Sequence, residues 1–176
     1  MSTTETAATP SLKAAALGDL EQELRVSRSL LERVPEDRLD FKPHEKSFSL
    51  GSLATHIANL PYWITATLQS DSFDLSNVSH REPAANRQEL LKLFDDTAAD
   101  MRAALDAASD ADLLRTWELR MGDRVLQRMP KLGVIRGMGI SHFIHHRGQL
   151  SVYLRLLDVP LPPMYGPTAD ERPSFG

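Results

Sequence analysis

Leu132–Leu157, LGVIRGMGISHFIHHRGQLSVYLRLL, is the stretch whose reading decides the fold. Pro130 precedes it, and no proline interrupts its 26 positions. Ile135, Met138, His142, His146, Gln149, Tyr153 and Leu156 return at three- and four-residue steps. That is the period of one helical face, so the segment reads as a helix over about 132–157 with this stripe turned inward. Gly133, Gly137 and Gly139 near its start fit close packing against a neighbouring element rather than a phosphate-binding loop.

Working backward, Thr116–Met129 holds two short alternating runs around Gly122-Asp123, the pattern of a small hairpin. A helix over about 87–107 precedes it, with Leu90, Leu91, Phe94, Ala98, Met101 and Leu105 in the 3.6-residue period. Residues 71–86 read as loop. A helix from Ser49 to about Ser70 buries Leu50, Leu53, His56, Ile57, Leu60 and Ile64, and Pro61 kinks it by removing a hydrogen bond. Residues 35–48, with Pro35 and Pro43, read as loop. A first amphipathic helix spans about 11–34, with Ser11 as N-cap and Pro35 as stop. The proline-rich tail, 158–176, should run extended along the surface.

Four helices of about five turns each make the expected class all-α: a four-helix bundle with a small hairpin or irregular excursion before the last helix. The expected organisation is one domain over 11–176, preceded by a disordered tail over 1–10. At 176 residues a second domain would be cramped.

The absence of cysteine excludes disulfides, thiolate nucleophiles, zinc fingers and cysteine-held iron–sulfur clusters. A net charge of −4 implies no broad electropositive surface for nucleic acid. No apolar run approaches the roughly 18 residues of a membrane span, and Met1–Pro10 lacks a signal-peptide pattern. A soluble cytoplasmic protein is the expectation.

Of six histidines, three crowd into His142, His145 and His146. His142 and His146 are one helical turn apart and share a face, so together they can hold one ion. His145 lies about 100° around the axis from His146, which makes His142 with His145 the weaker pairing. A firmly held divalent metal needs a third ligand from elsewhere, and His56 on the buried side of the second helix is the candidate. Imidazole nitrogens select a transition metal over calcium or magnesium. Three of them leave a position for water or substrate, where the pKa of water or a thiol falls toward 7. The same spacing also suits hydrogen-bonded core histidines, or solvated ones at 145 and 146. His44 and His80 lie in loops and read as exposed. HExxH, Walker, Rossmann and G-x-S-x-G patterns are all missing. Arg147 reads as a solvated side chain, with contact to acidic groups as the alternative.

His142-Phe-Ile-His-His-Arg-Gly-Gln-Leu-Ser-Val-Tyr-Leu-Arg155, with Met164-Tyr-Gly-Pro-Thr-Ala-Asp-Glu171, closely resembles the end of proteins of the DinB family. These are the DinB/YfiT-like metalloproteins, not the DNA polymerase sharing the name. Arg38–Ser47 followed by Leu50-Gly-Ser-Leu-Ala-Thr-His56 resembles that family's second-helix signature, in the same order. The resemblance implies a four-helix bundle, a divalent metal (zinc or nickel) on His56, His142 and His146, and a homodimer.

Activities associated with the family point first to a thiol-dependent S-transferase, with a low-molecular-weight thiol as co-substrate. The alternatives are a metal-dependent hydrolase of a small molecule and a non-catalytic metal-binding protein of the stress response. Trp63, His145, Gln149, Tyr153 and Tyr165 are candidates to line the pocket or support the ligands. Each has a plainer reading: Trp63 as core, Gln149 and Tyr153 as filling, Tyr165 as a pin for the tail. No general base is assigned.

Overall fold

The structure is a computed structural model that describes residues 11–78 and 81–172. The expected N-terminal tail, His80 and Pro173 lie outside the described residues.

The first helical stretch is two helices, α1 (Leu12–Leu17) and α2 (Leu20–Leu31). Ser11 caps α1 as expected, its side chain accepting from the Ala14 N–H. The break at Gly18-Asp19 was not expected. Gly18 is a poor helix former, and α1 is drawn onto a different element. The Asp110 carboxylate accepts from the backbone N–H of Leu12 (2.8 Å) and Lys13 (3.0 Å), and Lys13 Nζ donates to the carbonyls of Leu105 and Ala108.

The second stretch is split where Pro61 demands, into α3 (Leu50–Asn59) and α4 (Pro61–Gln69). Ser49 caps α3 by accepting from the Ser52 N–H, and Pro61 occupies the first turn of α4, where its missing N–H does no harm. The third helix, α5 (Arg87–Ala107), has the expected bounds and is capped by Asn86. A short α6 (Asp110–Leu114) follows, closed by a capping box between Ser109 and Asp112.

A small sheet is the main departure from an all-helical chain. β2 (Thr116–Met121) and β3 (Arg124–Pro130) form the expected hairpin, pairing antiparallel from Thr116↔Pro130 to Met121↔Arg124. Gly122 turns it with φ +57°, a conformation glycine adopts without steric penalty. β1 (Ser72–Asp74), expected as loop, adds a third strand parallel to β2, with Ser72 opposite Glu118 and Asp74 opposite Arg120.

The last stretch runs as α7 (Lys131–Val134), a π-helical segment (Ile135–Ser141) and α8 (His142–Leu156). The π-helical turn lets the chain approach α4 closely. A Cβ placed on Gly139 would lie 2.8 Å from Ile64 Cγ1, so this glycine is required by packing. Lys131, 1% exposed, ties the sheet to α4: its Nζ donates to the Leu68 carbonyl and pairs with Asp71, each at 3.0 Å.

One continuous apolar core holds these elements, with Leu30, Leu31, Leu50, Leu53, Ile57, Met101, Ile135, Leu150 and Leu154 essentially fully buried. α3 packs on α5 and α8, α4 on α5 and the π-helical segment, and α2 on α5 and α8. No helix among the described residues is long and apolar enough to cross a membrane.

Candidate metal centre

The expected inward stripe of the last helix is corrected by the structure. Ile135 and Tyr153 are buried, but Gln149 and Leu156 are exposed. The side of α8 that enters the core is instead Phe143, Arg147, Leu150 and Leu154. The π-helical segment is part of the reason: its wider turn shifts the phase, so a 3.6-residue projection from Ile135 no longer holds beyond Ser141. His142 and His146 therefore stand on the flank of the core side, at the border between apolar interior and solvent. All three cluster histidines are half-buried.

The expected third residue is in place. α3 carries His56 alongside α8, and the three side chains each bring one ring nitrogen to within 4.8 Å of the others. His146 Nε2 lies 2.8 Å from His142 Nε2, and His56 Nε2 lies 3.5 Å from His142 Nε2. The His56 and His146 rings meet edge to face at 4.5 Å.

The outward-facing nitrogens set the protonation pattern. His146 Nδ1 donates to Gln149 Oε1 at 2.7 Å. The His142 ring donates to the Met138 carbonyl. A neutral imidazole carries one proton, so placing it at Nδ1 leaves each Nε2 with a bare lone pair. The neutral form is favoured at all three. Burial, then the proximity of His146 and His142, lowers the His56 pKa to about 4. Burial also lowers His142 and His146, against the opposing hydrogen bonds to Met138 and Gln149. The Nε2 lone pairs of His142 and His146 thus face each other across 2.8 Å, with His56 Nε2 beside them at 3.5 Å from His142, an arrangement that a cation between the rings would relieve. Two nitrogens each about 2.05 Å from a tetrahedral ion lie about 3.4 Å apart; His56 and His142 stand at 3.5 Å, and His142 and His146, at 2.8 Å, would spread by about half an ångström to take the ion. The residues fit a divalent transition metal.

The other candidates separate clearly. Gln149 supports His146, as described. His145 is exposed, its ring 4.9 Å from that of His146. Tyr153 reaches the site's edge: its hydroxyl donates to the Phe48 carbonyl at 3.1 Å. Phe48 was missed by sequence reading, yet its ring lies 6.2 Å from His56 while 55% exposed. It precedes the cap of α3 by one residue, and no local pattern marks it. Trp63 is turned elsewhere, its ring tilted against that of Phe73 of β1 with centroids 4.6 Å apart; the break at Pro61 ends the register that would have aligned it with His56. Tyr165 does not cap the cluster. Its hydroxyl donates to Glu23 Oε2 at 2.8 Å and accepts from Arg147. His44 is exposed and its Nδ1 accepts from the Lys46 N–H.

Arg147 is the second correction. It is 1% exposed rather than solvated, and its guanidinium lies 2.5 Å from Glu23 Oε2, which is also buried. A buried charge persists only with such a partner, and this partner sits 124 positions away.

The sequence model of the DinB family matches residues 1–173. Among solved structures, a DinB-like protein from Bacillus subtilis superposes with a TM-score of 0.69 at 20% identity, covering 86% of this chain and 97% of that one. A DinB-like protein from Bacillus cereus gives a TM-score of 0.69 at 19% identity, over 85% and 95%. At such identities the likeness is one of fold. A search of curated proteins finds no match.

Proposed function

The chain belongs to the DinB family, and from that premise we propose that it is a metal-dependent enzyme, a thiol-dependent S-transferase acting on a small molecule. His56, His142 and His146 are the ligands for zinc or nickel, and a low-molecular-weight thiol is the co-substrate. The observation that carries this reading is the convergence of three imidazole ring nitrogens from two helices, with no carboxylate or fourth histidine closing the group among the described residues. A divalent cation held there supplies Lewis-acid chemistry, which favours the anionic form of a thiol or of water at neutral pH.

The chain's own residues prepare the site for that role. Gln149 and the Met138 carbonyl hold the two α8 rings in the tautomer that presents Nε2. The Phe48 ring beside His56 supplies apolar surface at which a substrate can displace water. No side chain is assigned as general base. The architecture that accompanies this reading is a four-helix bundle built from 12–31, 50–69, 87–107 and 131–156, working as a homodimer in the cytoplasm.

Two measurements test it. Elemental analysis of protein purified without a metal-affinity tag should find about one transition-metal ion per chain. Turnover of electrophilic substrates should then require an added small thiol and stop on chelation. Turnover by water alone, with no thiol requirement, would make the protein a hydrolase instead. Metal uptake with neither activity would leave a metal-binding stress protein.

A further inference from the structure

Arg147 follows His146 on α8, yet it points away from the cluster toward α2 and the C-terminal segment and is held there by several groups. Its guanidinium contacts Glu23 Oε2 (2.5 Å), the Glu23 carbonyl (3.3 Å) and Ser27 Oγ (3.4 Å) on α2. It also donates to the Tyr165 hydroxyl and lies 5.0 Å from the centre of that ring. Glu23 and Ser27 are 4% and 1% exposed. The Tyr165 ring is 69% exposed, so the ring itself gains little by burial, and the contact is made by its hydroxyl.

We infer that Arg147 is a positioning residue for the histidine cluster: Glu23 from α2 and Tyr165 from the C-terminal segment clamp its guanidinium, and the clamp sets the rotation of α8 at which His142 and His146 meet His56. This rests on the reading of the cluster as a metal site. Buried Tyr153 adds one directional contact, its hydroxyl donating to the Phe48 carbonyl at 3.1 Å, while the remaining core contacts of α8, at Phe143, Leu150 and Leu154, are apolar and carry little directional information. A turn of the helix by about 10° would hardly change them, yet it would carry a ring held about 5 Å from the axis by nearly 1 Å. Metal ligation tolerates about 0.2 Å. The guanidinium fork has a fixed geometry and cannot follow such a slip without losing its partners. Buried ion pairs contribute little net stability compared with apolar residues of the same volume, and their best-attested use is to specify register. Gly139 against Ile64 grips the same helical stretch at its other end, so the ligand-bearing turns lie between two restraints.

The test is the triple variant Glu23→Leu/Arg147→Met/Tyr165→Phe, which removes the charges and hydroxyl together and strands no buried ion. Its far-ultraviolet circular dichroism and cooperative unfolding should match the parent. Its Zn²⁺ dissociation constant should rise about tenfold or more, and the visible absorption of the Co²⁺ form should shift. In metal-free protein, the ring ¹⁵N and ¹H resonances of His56, His142 and His146 should move while those of exposed His44 stay. Parent-like affinity, absorption and ring resonances would overturn the inference. If the triple variant does not fold, Tyr165→Phe alone decides, with an expected rise of about threefold in the dissociation constant and smaller movements of the same resonances; unchanged resonances overturn it. If the parent takes up no metal, the proposed function fails, while the metal-free resonances still decide the role of Arg147.

Discussion

Two polar clusters share helix α8 one residue apart, and they are built on opposite principles. Around Arg147 the guanidinium charge is met by the Glu23 carboxylate, and both terminal nitrogens have hydrogen-bond partners within the protein. Around His146, three rings that burial keeps neutral bring a nitrogen each toward one point, and no counter-charge meets them there among the described residues. A satisfied buried network is a finished piece of structure. A convergent set of imidazole nitrogens is an arrangement that could hold a metal ion. Burial alone would rank them the other way, because Arg147 is the more deeply buried.

Breaking each cluster should therefore break different properties. The largest effect expected is from His142→Ala. It should abolish metal uptake, taking elemental analysis from about one ion per chain to none, while leaving the circular dichroism of the fold intact. Next in size, Arg147→Ala should destabilise the fold by about 3–5 kcal/mol, because it strands Glu23 as an uncompensated buried charge. That corresponds to a melting temperature lower by about 10 °C in calorimetry. If Arg147→Ala left stability unchanged, the account of this cluster as structural would fail.

Smaller and more selective, Gln149→Leu should weaken metal binding by about tenfold without a comparable loss of stability, since it frees the His146 ring to change tautomer. Competition titration against a chromophoric chelator would measure it.

Last comes a pH dependence centred on the histidine cluster, which leaves the neutral-pH properties of the protein unchanged. In metal-free protein, His56 protonates at about 4, whereas in the unfolded chain it does so near 6.5. Between those values the unfolded state binds more protons, so stability rises with pH across this window and is lost as pH falls through it. The carboxylates held low by arginine, such as Asp95 beside Arg28 and Asp170 beside Arg155, add their own loss only further down, as pH falls toward about 4 and below. Urea unfolding at about pH 5 and pH 7 should show the difference, and His56→Gln should reduce it. Equal slopes for the two proteins would remove His56 as its source.

Much of this molecule was legible as pattern. The bounds of α5, the caps at Ser11 and Ser49, the break at Pro61 and the hairpin about Gly122 all follow from interactions within a few residues. The α6 helix carried a readable signal too, in the Ser109-x-x-Asp112 spacing of a capping box. His142 and His146 could be paired because a helix converts a four-residue spacing into adjacency.

Amino-acid order alone determined which residue types were available and which local shapes they prefer, and that sufficed for the main helical stretches and for pairing His142 with His146; His56 stands there as a candidate, assigned to them by the family resemblance. Tertiary structure decided the rest. β1 is a three-residue strand that exists through its pairing with β2 more than forty positions later, and nothing inside Ser72–Asp74 demands it. The π-helical turn is taken where Gly139 meets Ile64. Arg147 reads as solvated until Glu23 and Tyr165 are brought to it. The physical reason is common to all three: a period or a cap is set by neighbours in the chain, whereas the burial of a charge, the pairing of an edge and the phase of a long helix depend on groups that only folding brings together.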